Sequence, residues 1–417
     1  MREHNAASPL PGETLKELRL GRGMTQEGLA ERSKVSLGVV KKLERGGTAR
    51  LESYHALARA LGVRTSRLFE TSGPHSTTRS DDDNIPLMPL RQAIAPAVTH
   101  SGRLDTGNST WAEPDLDQLR SAAHKVGQAY AYYNDDYSYV AEVLPSLVRA
   151  SHDAVGHFSG SPQHGDALRV RSNILQMAGR YLTQVRAYDL AHIALRDAIT
   201  DAARVDDKGL IAGAVYQQGW LLIRQGRLDE AEQVSIAAAE AVEPRISRAS
   251  RPALGAWGKL LVHASAAAAR NNRPQEAREM LRLGRTAGAA LGGGQVAELS
   301  SWGRFDWRTV AFQGIENHLV AERPDRVLGL SARLPRAKDK KDRLFMRRHM
   351  LDVAQAHVML RQFDESTGIL WSLWDETPEW LRHQRMAVGT FRTITRTSKR
   401  RRISTQHRDL AAFFGPE

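Results

Sequence analysis

The order of apolar and polar positions divides the chain into unequal parts. Between residues 13 and 70, Leu15, Leu18, Leu29, Ala30, Val35, Val40, Leu43, Leu57, Ala58 and Leu61 recur at helical spacing, which lines one face of successive short helices. Two hydroxyls punctuate this stretch: Thr25 precedes Gln26-Glu27-Gly28-Leu29-Ala30, and Ser36 precedes Leu37 to Leu43. Each can cap the helix that it opens, so two short helices with a sharp turn between them are predicted. Residues 1–12 are polar and read as a frayed end. Residues 71–113 lose the pattern and are rich in Ser, Thr, Asp, Gly and Pro. They read as a linker, loose around Ser76–Asp83 and docked around Ile85–Ile94. From residue 114 to 415, Ala- and Leu-rich segments of helical length alternate with short Gly, Pro or Asn breaks. None alternates with the period of a strand, so the fold class is all-α.

The long helical part repeats itself. Gln225-Gly226-Arg227-Leu228-Asp229-Glu230-Ala231, with Gly219 before it and Ala238 and Pro244 after it, resembles the tetratricopeptide pattern of small residues where paired helices touch. Weaker copies run Gly179–Ala191–Ala198, Ser265–Ala277–Gly284 and Ala354–Ser366–Leu373–Pro378, and residues 302–335 hold a poorer one. Ala191, Ala231 and Ala277 are 40 and 46 residues apart, against about 34 for the ideal repeat. A degenerate α-solenoid is expected over 114–415. Such an array buries apolar surface by stacking neighbours and exposes a concave face.

Length and charge narrow the function. A chain of 417 residues allows two or three domains, and a formal net charge of +12 favours a polyanionic partner. Cysteine is absent, which rules out disulfides, thiolate zinc sites and a cysteine nucleophile. No segment has the composition of a signal peptide or the length of an apolar membrane span. A soluble cytoplasmic protein without membrane contact is expected. There is no His-Glu-x-x-His, Walker loop, Gly-x-Ser-x-Gly or dinucleotide fingerprint, so no enzyme, cofactor or metal site is expected.

The capped pair carries the chemistry. Its second helix bears Lys41 and Lys42, with Val40 and Leu43 facing inward and Leu37, Gly38, Val39 and Lys42 projecting outward. A helix N-terminus presents free N–H groups and partial positive charge, which suits phosphate, and Gln26 stands in the first turn of the leading helix. The Thr-Gln-Glu-x-Leu-Ala block, the Val-Ser start and the Leu-Glu-Arg-Gly exit, read as Thr25–Ala30, Val35-Ser36 and Leu43–Gly46, resemble the Xre/Cro/cI-type helix-turn-helix family. The resemblance covers residues 13–70 and implies a small five-helix domain of lambda-repressor type. It implies that Thr25 and Ser36 cap their helices and that Ser36, Leu37, Gly38, Val39 and Lys42, with Lys41 beside them, approach base edges. Gln26, Arg45, Thr48 and Arg50 would hold phosphates, and Arg19 would pair with Glu44 inside the fold. Three residues depart from the family pattern: Lys34 at a turn position usually held by glycine, and Gly28 and Gly38 inside helices. Leu37 and Val39 can meet thymine methyl groups but make no bidentate base contact, so a dimer on two half-sites of a double-stranded operator is expected.

Elsewhere the patterns are weaker. The frame of the repeat places Asn173, Gln176 and Arg180, then Tyr216, Trp220 and Arg224, on the groove-lining helices, where amide, guanidinium and aromatic groups suit a peptide or small-molecule ligand. Tyr130, Tyr132, Tyr133, Tyr137 and Tyr139 read first as packing aromatics, as do Trp220, Trp257, Trp302, Trp307, Trp371 and Trp374. The basic tail (Arg392, Arg396, Lys399–Arg402, Arg408) reads as the solvated face of a capping helix before it reads as a phosphate contact. In architecture the chain also resembles peptide-pheromone-sensing and actinobacterial regulators. That implies a dimeric transcriptional regulator whose helical repeats sense a peptide or small molecule. The alternatives are a scaffold that recruits a partner protein to DNA, and a ligand-independent repressor whose solenoid only dimerises.

Overall fold

The computed structural model describes residues 11–68, 87–98, 100, 104–105, 114–132, 137–293, 296–299, 303–338, 340–397 and 405–415. Its first unit consists of α1 (Pro11–Leu20), α2 (Gln26–Ser33), α3 (Leu37–Glu44) and α4 (Leu51–Leu61), closed by a 3₁₀ turn at Ser66–Leu68. The domain expected to hold five helices thus has four and a 3₁₀ turn. Thr25 Oγ1 accepts the Gly28 N–H at 2.9 Å and Ser36 Oγ the Val39 N–H at 3.4 Å. Lys34 ends α2 in the left-handed region, φ 57°, a conformation that costs a lysine more than a glycine. Leu29, Val40, Leu43, Leu57, Leu61 and Leu68 fill the core between these elements. Gly12 starts α1 directly against the end of α3: a β-carbon there would lie 2.6 Å from the Leu43 carbonyl oxygen.

Within the expected linker, α5 (Met88–Ile94) buries Leu90, Ala93 and Ile94 against α7 (Tyr137–His157). Ser76–Asp83 lie outside the described residues. Strands β1 (Ala97–Val98) and β2 (Leu104–Asp105) form an antiparallel two-residue ladder, after which α6 (Leu116–Tyr132) leads into α7.

The remainder is a succession of helix pairs: α8 (His164–Gln184) with α9 (Tyr188–Arg204), α10 (Lys208–Arg224) with α11 (Leu228–Ala241), and α12 (Arg251–Arg270) with α13 (Pro274–Leu291). A second ladder, β3 (Ala297–Leu299) with β4 (Gly303–Phe305), interrupts the series. No strand was expected there. Its Ala297, Leu299 and Phe305 are buried against α12, so apolar burial holds a strand pair too short to declare a period. Next come α14 (Trp307–Val320) with α15 (Pro324–Ser331) and α16 (Lys340–Met359) with α17 (Phe363–Glu376). The chain closes with α18 (Pro378–Arg382), α19 (Arg385–Thr397) and α20 (Thr405–Phe414). The first helices of successive pairs, α8, α10, α12, α14 and α16, contact one another in order.

One turn joins the two helices of all five pairs. Arg186, Gly226, Asn272, Glu322 and Arg361 each adopt a left-handed φ, between 54° and 79°. The next residue in each case (Ala187, Arg227, Arg273, Arg323, Gln362) donates its N–H at 2.9 Å to the carbonyl five residues earlier. This is the long bond of a Schellman closure, which satisfies carbonyls that the helix end would otherwise strand. Small residues let the helices meet. A β-carbon on Gly179 would lie 2.4 Å from Leu195 Cγ, and one on Gly219 2.4 Å from the His263 ring. Ala191, Ala198, Ala231 and Ala277 are buried at comparable places.

Candidate nucleic-acid interface

The exposed face of α3 is built by exclusion. Val40 and Leu43 are buried, which turns Gly38 and Lys42 outward, with Ser36 before them and Arg45 beyond, all exposed. Thr48 and Arg50 continue the exposed edge into α4. Among the described residues no carboxylate pairs with Lys42, Arg45 or Arg50. Lys41 is half-buried and stands 4.0 Å from Glu27 Oε1, an exposed pair that contributes little. Around Gly38 a β-carbon would meet nothing within 4 Å. The fold therefore does not require this glycine, and the space beside it is open to a ligand.

Two groups of side chains sit elsewhere than expected. Leu37 and Val39, assigned to thymine methyls, are half-buried and pack against the domain core. A domain this small has little apolar surface, and burying part of these two is favourable at roughly 25 cal/mol per Å². Gln26, assigned to a phosphate, donates its amide N–H to Glu44 Oε2 at 2.6 Å. Glu44 also accepts from Arg19 Nε at 2.6 Å and Nη2 at 3.1 Å, while Arg19 Nη1 reaches the Met24 carbonyl at 2.7 Å. Burial would raise the Glu44 carboxyl, but the bonds from Arg19 and Gln26 and the charge of Arg19 hold it below its ordinary value. The buried anion, with two donors to satisfy it, is what draws Gln26 away from the surface.

The face thus offers the hydroxyls of Ser36 and Thr48, an open glycine, three cations that no carboxylate meets among the described residues, and a capped helix N-terminus. A protein-family model described as helix-turn-helix matches residues 15–68. Residues 15–68 are an Xre-type helix-turn-helix domain. This domain suggests a DNA-binding transcriptional regulator. No curated protein and no solved structure matches the chain.

The helix-turn-helix domain leans on the helical region through the side away from α3. Thr65 Oγ1 donates to the Arg270 carbonyl at 2.8 Å, the Ser66 N–H to Asn271 Oδ1 at 3.0 Å, and Asn272 Nδ2 to the Val63 carbonyl at 3.1 Å. His55 in α4 places Nδ1 at 2.7 Å from the Arg270 carbonyl and Nε2 at 3.2 Å from that of Val320. Burial nevertheless pushes the His55 imidazole below its ordinary value, against the pull of those carbonyls. Arg59 pairs with Glu322 at 2.5 Å and Arg64 with Asp229 at 3.3 Å. The seat therefore touches three consecutive helix pairs beside their joining turns, at Asp229 in the first turn of α11, Arg270–Asn272 and Val320–Glu322. Nothing in the sequence singled out His55, Arg59 or Thr65, because their partners lie more than 200 residues away.

The groove residues expected in the repeats divide. Gln176 is buried and donates to Ser172 Oγ and the Leu210 carbonyl, tying α8 to α10. It is a packing residue rather than a ligand contact, because its amide meets its partners inside the helix stack. Asn173 is half-buried, Arg180 half-buried and Arg224 exposed. Tyr216 and Trp220 do come together, edge to face with ring centroids 6.4 Å apart, and both meet His263, at 5.3 and 4.9 Å. Lys259 adds its ammonium 4.9 Å from the Tyr216 ring. Ser235 Oγ donates to the Ala231 carbonyl at 2.7 Å, so it accepts from His263 Nδ1 at 2.9 Å, which assigns the proton of that ring to Nδ1.

Tyr139 is exposed, and the side chains of Tyr130, Tyr132, Tyr133 and Tyr137 lie outside the described residues. Trp257 is buried and Trp220, Trp371 and Trp374 half-buried, but Trp307 is 39% exposed; Trp302 lies outside the described residues. In the tail, Arg392, Arg396 and Arg408 are exposed and Lys399–Arg402 lie outside the described residues. Among the described residues no helix is long and apolar enough to cross a membrane.

Proposed function

We propose that the chain is an operator-reading regulator that binds two half-sites as a homodimer and whose helical region, a tetratricopeptide-like solenoid, responds to a peptide or small-molecule signal. The observation that carries this reading is the way the helix-turn-helix domain is held. Its rear, α4 and the residues up to the 3₁₀ turn, is bonded to three successive helix pairs at or beside their joining turns, while Ser36, Gly38, Lys42 and Arg45 stay exposed. A change in the spacing of those turns would be transmitted to the reading face through hydrogen bonds. By linkage, signal and operator would alter each other's affinity by the same factor. The five repeated closures and the small residues at helix contacts support the tetratricopeptide-like description.

Selection of bound fragments from genomic DNA by the purified full chain tests this reading. The expected result is one enriched motif with two half-sites about one helical turn apart, with two chains per fragment by sedimentation. A single unrepeated half-site bound by one chain would remove the dimer, and the absence of any enriched motif would remove sequence-specific reading altogether.

A further inference from the structure

A cavity of about 890 Å³ opens at the seam between the two regions, bounded by α13, α14 and the end of α15 and reached at one end by His55 and Arg59 of α4. Its size suits a small molecule rather than a macromolecular segment. Its walls are largely apolar, with Leu281 and Val310 inside and Trp307, exposed to solvent, at its edge. The groove follows one face of α13, where Arg278, Leu281 and Arg285 succeed one another at intervals of three and four.

The charges around this apolar space have one sign. Arg59, Arg278, Arg285, Arg323 and Arg333 all line it, and no aspartate or glutamate does. Arg59 alone has a carboxylate partner, Glu322 at 2.5 Å, which lies outside the lining; among the described residues the other four have none. Cations gathered over a low-dielectric wall repel one another and concentrate anions, and guanidinium groups bind carboxylates and sulfonates in their planar fork.

We infer that this seam is a binding site for a small organic anion with an apolar body, whose acidic group meets the arginines and whose skeleton lies along Leu281, Val310 and Trp307. Such a ligand touches both regions at once. An acidic group that reaches Arg59 competes with Glu322 for the guanidinium that also donates to the Val320 carbonyl at 3.3 Å, and so alters the seat of the helix-turn-helix domain. The site stands on its own geometry; its consequence for DNA rests on the signal-responsive reading above.

Anilinonaphthalenesulfonate, an anionic apolar dye, and the neutral N-phenylnaphthylamine are the probes, titrated into the full chain with excitation of tryptophan. The dye should occupy one saturable site at least tenfold more tightly than the neutral analogue, with energy transfer that falls in Trp307→Phe. Arg278→Gln with Arg285→Gln, both on the exposed face of α13, should abolish the anion preference, and decanoate should displace the dye. Equal binding of the two probes, or a preference that survives the arginine substitutions, overturns the site. Displacement by an acidic peptide and not by decanoate overturns the small-anion assignment. Operator affinity measured with and without decanoate separates the two readings. Unchanged affinity beside normal dye binding keeps the site and removes the signal response. Changed affinity that ignores the arginine pair removes the site and keeps the response.

Discussion

In the helix-turn-helix domain the groups that face solvent on the candidate interface lie within one short run, Ser36 to Arg50, whereas in the helical region the candidate surfaces are assembled from distant segments. His263 meets Tyr216 and Trp220 across two helix pairs, and the seam cavity takes residues from α4, α13, α14 and α15. The two regions also satisfy their polar groups differently. The domain places one carboxylate, Glu44, at the centre of a local network, while the five helix pairs from α8 to α17 close with the same backbone bond. A compact motif thus exposes its chemistry contiguously, and a stacked array distributes it.

Breaking each region by its own device should leave the other standing. Glu44→Ala leaves the Arg19 guanidinium buried without its anion and should cost the domain about 3 kcal/mol or more. Hydrogen exchange should show faster opening of α1 to α4 with little change in α8 to α17. Protection lost evenly across both regions would contradict this separation. Conversely, Gly179→Val drives a branched side chain into Leu195, whose Cγ lies 2.4 Å from the position of a β-carbon, and should cost about 1–3 kcal/mol. Its effect should appear in α8 and α9 and spare α1 to α3.

Acid should separate the regions as well. Burial, with Arg171 nearby, pushes His152 down to about 4; burial and Arg348 push His349 to about 4; burial and Arg270 push His263 to about 3. Their folded values lie below the unfolded value, so the stability that they confer is full above about pH 6.5 and is lost as pH falls toward 4. Each can cost up to about 1.4 kcal/mol per pH unit in that window. Asp352 works in the opposite sense, because burial, with Glu316 adding repulsion, raises it against the pull of Arg348; it offsets part of what the three histidines contribute. The net expectation is a urea midpoint that falls between pH 6 and pH 5. All eight tryptophans lie outside residues 15–68, so their fluorescence does not report on the helix-turn-helix domain. A midpoint unchanged over that interval would contradict the buried neutral histidines.

The smallest effect is expected at Gly38. Its β-carbon position is empty, so Gly38→Ala should stabilise the domain by up to about 1 kcal/mol through helix propensity. If operator affinity falls at the same time, the open space is occupied by DNA; if affinity is unchanged, the glycine has no part in reading.

The domain was readable because its signals are local. Caps at Thr25 and Ser36 are single hydroxyls before apolar runs, and the left-handed Lys34 follows from its turn position. What escaped were consequences of burial: Gln26 turned to Glu44, and Leu37 and Val39 turned partly inward, since a spacing rule ranks faces but cannot weigh a buried carboxylate that needs donors. Among the five helix pairs the expected turn signal was plain at Gly226 and hidden at Arg186, Asn272, Glu322 and Arg361. All five adopt the same left-handed turn, but only the first uses the residue for which that turn is unstrained. The groove assignment failed at Gln176 because helical phase places a residue on a face without saying which neighbouring helix covers it. The seat of the domain and the seam cavity depend on contacts between residues hundreds of positions apart, which no local pattern encodes.

The central claim, that the exposed face of α3 reads DNA, is tested most directly by a mobility-shift titration of the full chain carrying Lys42→Ala and Arg45→Ala on a selected operator. Both side chains are exposed and meet no carboxylate among the described residues, so thermal stability should stay within about 0.5 kcal/mol of the parent. Operator affinity should fall at least a hundredfold and the salt dependence of any remaining binding should flatten, as lost phosphate contacts require. A folded double variant that binds the operator with undiminished affinity and the same salt slope would contradict the account.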